Sequence, residues 1–129
     1  MIATPLRLQR LWFAAGCFGI GVLFWLSLTE NPPDLGLDPG NWSGHFLAYS
    51  VLMGWFARLS DDRRVRRRSA ITLVAIGVLI ECLQGLVPWR TFDPRDMLAN
   101  TFGVMLGWLA SPPRVPSGFP LVERLLSRS

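Results

Sequence analysis

"LWFAAGCFGIGVLFWLSLT", residues 11–29, runs for nineteen residues without a charge. As a helix it rises about 28 Å, close to the roughly 30 Å of a bilayer's hydrocarbon core. A signal peptide is the competing reading of an apolar run behind Arg7 and Arg10, but no small-x-small cleavage site follows it. "AAGC" at 14–17 has the outline of a lipoprotein cleavage box, yet the apolar run begins only at Leu11 and continues well past Cys17. A membrane span fits the stretch best.

Three more apolar runs follow it: 44–60, "GHFLAYSVLMGWFARLS"; 70–88, "AITLVAIGVLIECLQGLVP"; and 94–110, "PRDMLANTFGVMLGWLA". Four runs predict an all-α, integral membrane four-helix bundle over residues 1–110. Behind it lies a Pro-rich tail, 111–129, ending in a short amphipathic piece, "FPLVERLLSRS". Composition agrees: half the 129 residues are hydrophobic and 17% are charged, where soluble domains carry about a quarter. Cys17 and Cys82 both fall inside apolar runs, so no disulfide framework is implied.

All thirteen basic residues are arginine, and five of them crowd into 63–68 of "DDRRVRRRS" (61–69). Charge bunched between apolar runs follows the positive-inside rule rather than phosphate binding, so no nucleic-acid partner is expected. That rule places the 61–69 loop in the cytoplasm. The N-terminus, with Arg7 and Arg10, and the tail, with Arg114, Arg124 and Arg128, fall on the same side. The acidic loop 30–43 and the turn 89–93 then face outward.

The orientation gives meaning to "ECLQGLVPWRTFDPRDMLAN", 81–100, which concentrates Glu81, Gln84, Arg90, Asp93, Asp96 and Asn100. At about 1.5 Å per residue, Gln84 lies about 6 Å and Glu81 about 10 Å inside the outer boundary; Asp96 and Asn100 lie about 3 and 9 Å inside. His45 and Tyr49 enter helix two from the same side and share a face by i, i+4 spacing. The polar residues form one layer in the outer third.

Several have ordinary structural readings. Asp93 ahead of Pro94 is a good N-cap, and Asp96, three residues on, suits both cap and helix dipole. Ser43 would cap helix two. Gly103 and Gly107 fit close helix packing. Glu81 resists such a reading, because an intramembrane carboxylate is costly unless partnered. Its structural alternative is a buried tie to His45 or to Arg90.

Taken in order, the pattern H-x-x-x-Y, then E-x-x-Q-x5-R-x-x-D-x-x-D-x-x-x-N-x-x-G, resembles the VanZ-like family of small bacterial membrane proteins. The match runs through His45, Tyr49, Glu81, Gln84, Arg90, Asp93, Asp96, Asn100 and Gly103. The family's eponymous member is associated with low-level resistance to the glycopeptide teicoplanin. The resemblance therefore implies a multi-pass protein of the bacterial cytoplasmic membrane with an envelope role. Family members often carry a basic residue just before the histidine; here Trp42 stands three before it, so no anion-binding role is carried onto that position.

The leading expectation is an outward-facing site that binds or acts on an envelope component: a lipid-linked or cell-wall precursor, or a glycopeptide-related ligand. In a catalytic version Glu81, His45 and Asp96 are the acid–base candidates. Arg90, Gln84, Tyr49, Asp93 and Asn100 would bind substrate. The alternative is a non-catalytic protein whose polar layer locks the bundle or meets a partner. No cofactor is called for, since a divalent metal among His45, Glu81, Asp93 and Asp96 has no ligand-spacing motif behind it. Membrane lipids are the expected surroundings.

Overall fold

The structure, a computed structural model, describes residues 7–30, 42–112 and 114–128. The acidic stretch 31–41, expected to face outward, lies outside them. Within them the chain is all-α, with helices α1 (Gln9–Leu28), α2 (Trp42–Ala57), α3 (Arg63–Gln84), α4 (Pro94–Leu109) and α5 (Phe119–Leu126). Among the described helices α1, with 20 residues, is the one long and apolar enough by itself to cross a membrane.

α3 differs most from the sequence expectation. The arginine cluster is not a loop: it forms the first two turns of a 22-residue helix. Arginine is a good helix former, and Asp62 caps the helix by accepting the Arg64 N–H at 2.9 Å. Arg66 reaches back to the Ser60 and Pro112 carbonyls at 2.8 and 2.7 Å. At its other end α3 stops at Gln84, not near 88, because Gly85 begins a turn and Pro88 disfavours helix before it. Glu81 therefore sits in the last turn of α3. Ser43, expected as a cap, falls inside the first turn of α2.

α2, α3 and α4 each bury one stripe with helical spacing. On α2 these are His45, Tyr49, Leu52, Met53, Phe56 and Ala57. On α3 they are Leu73, Gly77, Ile80, Glu81 and Gln84, and on α4 Asp96, Ala99, Asn100, Gly103, Val104 and Gly107. α1 buries only Gly16, Leu23 and Ser27. The closest pair is α2 and α4, held near by glycine: a Cβ at Gly103 would lie 2.5 Å from the Phe46 carbonyl oxygen, and one at Gly107 2.5 Å from that of Ser50. Small residues let backbones approach this closely.

Along these stripes chemistry changes from end to end. Leu52, Met53, Phe56, Leu73 and Val104 make an apolar core toward the arginine end. The other end buries Ser27, His45, Glu81, Gln84, Asp96 and Asn100. The outer surface is the reverse: Phe18 on α1, Ile71 on α3 and Leu98 on α4 are 74, 63 and 61% exposed, with Phe13, Trp25, Val51, Leu79, Phe102 and Met105 also open. Glu81 and Asp96 are thus buried while large apolar side chains on α1 to α4 lie open.

Candidate functional site

The polar layer is assembled where α1 and α3 end and where α2 and α4 begin. The carbonyls at the C-terminus of α1 have no partners within that helix. The segment from Gln84 to Arg90 supplies them. Gln84 Nε2 donates to Ser27 at 2.9 Å, Trp89 Nε1 to Leu28 at 2.9 Å, and Arg90 to Leu26 and Thr29 at 3.1 and 3.4 Å. Arg90 also places its positive charge at the negative end of the α1 dipole.

Glu81 is fully buried, and its Oε1 accepts the backbone N–H of Asp93 at 2.6 Å. Asp93 in turn caps α4, its Oδ1 accepting the Arg95 N–H at 2.9 Å. In a capping box the residue three past the cap reaches back to the cap's own N–H. That residue here is Asp96, but Glu81 from α3 already holds the donor. Asp96 turns instead toward α2, its Oδ2 3.6 Å from His45 Nε2, with both side chains buried. Glu81 thus fastens α3 to the start of α4 and releases Asp96 to meet His45.

Tyr49 and Asn100 both reach Gly77 lower in the layer. A Cβ at Gly77 would lie 3.0 Å from Asn100 Nδ2 and 3.4 Å from Tyr49 Oη. A larger residue there would fill the space where the two side chains converge.

Five buried side-chain atoms have no hydrogen-bond partner among the described residues: Tyr49 Oη, Glu81 Oε2, Gln84 Oε1, and Oδ1 and Nδ2 of Asn100. Each such group costs about 1–3 kcal/mol when left unmatched. Together they offer acceptors on Glu81 and Gln84, a hydroxyl on Tyr49 and both functions of an amide on Asn100. No group of three or more His, Cys, Asp or Glu side chains among the described residues could hold a metal ion.

The residues singled out in the sequence are therefore divided by the fold. His45 meets Asp96, Glu81 meets Asp93, and Tyr49 and Asn100 both lie against Gly77. Gln84 and Arg90 face α1, and no ion pair among the described residues joins Glu81 to His45 or to Arg90. Ser27, Gly77 and Trp89 were not legible as members of the layer. Of these, Gly77 had a signal, lying one helical turn before Glu81 on the same face.

Comparison with known families matches the VanZ/LLP1 family model over residues 12–113. No curated protein and no solved structure matches the chain.

Proposed function

The chain belongs to the VanZ/LLP1 family, and we propose that it is a multi-pass protein of the bacterial cytoplasmic membrane whose polar layer takes up an envelope component from the outer face. The surface supports the membrane reading: aromatic and aliphatic side chains lie exposed along α1, α3 and α4, while Glu81 and Asp96 are buried within. The arginines of 63–68 set the direction, with their end cytoplasmic and the polar layer outside.

The observation that carries a binding role is the set of five buried atoms without a partner among the described residues. A structural lock pairs its polar groups with one another, because an unpartnered one in a low-dielectric interior is costly. A site keeps such groups for its ligand. The mixture of hydroxyl, amide and carboxyl on Tyr49, Asn100, Gln84 and Glu81 suits a ligand with several hydroxyl and amide groups, as lipid-linked and other cell-wall precursors have. Arg90 at the rim offers its remaining N–H groups to an anionic head group. If the ligand is transformed, Glu81 and the separate His45–Asp96 pair are the acid–base groups available to it.

A second reading has its own support. His45–Asp96 and Glu81–Asp93 are contacts between helices, and they are the work of a lock. Native mass spectrometry of the detergent-purified protein separates the two. A co-purified species from the lipid-linked or cell-wall precursor class, lost in the Asn100→Leu and Tyr49→Phe variants at unchanged folded yield, is the expected result. Ligand-free protein together with normal envelope phenotypes for both variants would favour the lock.

A further inference from the structure

α5 (Phe119–Leu126) was legible only as a short amphipathic piece of the tail, and it shows three different faces. The first docks on the bundle. Phe119 is buried, stacked on Trp12 with ring centroids 4.4 Å apart and planes 3° apart, and the Trp55 ring meets it edge-on at 4.6 Å. One turn later Glu123 accepts the backbone N–H groups of Arg7 and Leu8 at 3.0 and 2.9 Å and the Trp12 indole N–H at 2.8 Å. The start of α1 has no side-chain cap from its own N-cap residue, Leu8. Glu123 supplies a carboxylate at that positive end from more than a hundred residues away.

The second face is apolar and open: Leu121, Val122 and Leu125 stand side by side, 60, 40 and 59% exposed. The third carries Arg124, with Arg128 just past the end of the helix, and exposed Arg7, Arg10 and Arg114 lie on neighbouring segments. An eight-residue helix is too short to persist in water on its own propensity. Its docking holds it beside the first turns of α1, where a membrane-crossing α1 leaves the hydrocarbon.

We propose that α5 is an in-plane anchor in a phospholipid surface: Leu121, Val122 and Leu125 enter the boundary between head groups and acyl chains, and Arg124 and Arg128 hold anionic head groups. The charge is complementary, since anionic lipids attract arginines set next to a span. The three faces (protein, acyl chain and head group) match an interfacial helix. The proposal rests on the reading that α1 crosses a membrane with this end cytoplasmic. It is independent of what the outer polar layer binds.

The test uses the full chain with Cys17→Ala and Cys82→Ala, carrying a bimane label at Leu121→Cys or, as control, at Phe18→Cys in mid-α1. Both are reconstituted in vesicles of phosphatidylcholine with and without phosphatidylglycerol. The expected result is quenching of the 121 label by shallow doxyl-lipid and protection from iodide in the anionic vesicles. Arg124→Gln with Arg128→Gln should weaken that quenching. A 121 label open to iodide in both vesicles, beside an 18 label quenched by deep doxyl-lipid, overturns the anchor and leaves the span standing. An 18 label that no deep quencher reaches overturns the span, and the anchor with it. Quenching at 121 that ignores both the anionic lipid and the arginine changes overturns the head-group role.

Discussion

Glu81 holds the backbone N–H of Asp93 at 2.6 Å, a donor that Asp96 would take in an ordinary helix cap. One contact therefore does two things. It joins the end of α3 to the start of α4, and it frees Asp96 to face His45 at 3.6 Å. The second oxygen of Glu81 has no partner among the described residues. Under the proposed binding role, that oxygen is the one left for a ligand.

Glu81→Gln and Glu81→Ala should accordingly part company. The glutamine keeps an acceptor for Asp93 and should leave the melting temperature in detergent nearly unchanged while abolishing the envelope phenotype. The alanine strands the Asp93 donor and should cost about 1–3 kcal/mol. A glutamine variant with full phenotype would exclude acid–base chemistry at this position.

Arg90 donates to carbonyls of α1, whereas Glu81 faces α4. Arg90→Ala should lower stability by about 1–2 kcal/mol, through the lost cap and charge at the end of α1. Combined with Glu81→Ala, the losses should add to within about 0.5 kcal/mol, as for sites without shared partners. Strong non-additivity in the melting curves would mean that the two side chains interact after all.

The stripes of α2, α3 and α4 were readable from spacing alone: His45 with Tyr49, Glu81 with Gln84, and Asn100 with Gly103 and Gly107. Buried faces repeat with the helical period whatever solvent surrounds them. The ends of α3 were not readable in the same way. A hydropathy reading ends a helix where charge begins, while Arg63–Arg68 favour helix and Asp62 caps it. The partners of Glu81 and Arg90 lie beyond local spacing, because Asp93 and Thr29 are set by how the chain turns at 85–93. The docking of Glu123 on Trp12 joins opposite ends of the chain, and no periodicity announces it.

Topology can be checked directly. An insertion reporter at Asp61, ahead of the α3 arginines, should work only as a cytoplasmic reporter; one within 34–40 should work only as an external one. The reverse pattern would place the polar layer inside and remove the basis for an envelope ligand.

Gly103 and Gly107 test the contact between α2 and α4. A methyl at either meets a backbone carbonyl oxygen at 2.5 Å, and backbone moves less readily than a side-chain tip. Gly103→Ala should cost about 1–3 kcal/mol by overpacking, and Gly107→Val at least as much. The readout is melting temperature and the yield of monodisperse protein. Gly21, whose Cβ would meet nothing, serves as the neutral control as Gly21→Ala.

The last prediction concerns pH and the α5 latch. Partial desolvation would raise the Glu123 carboxyl, but hydrogen bonds from Leu8, Trp12 and Arg7, with the Arg7 charge, outweigh it and hold the group below the usual glutamate range. A carboxyl depressed in the folded protein contributes stability that is present above its unfolded value. That contribution is lost as pH falls through the folded value. The latch should therefore hold at neutral pH and weaken only at acid pH, below the ordinary glutamate range near 4.3. Glu123→Gln replaces one of the two accepting oxygens with an amide, which cannot serve both Arg7 and the Leu8–Trp12 pair. Melting temperatures in detergent should then differ between the two chains at pH 7 and converge toward pH 3. A gap that stays constant over that range would show that shape, and not the carboxylate charge, holds α5 in place.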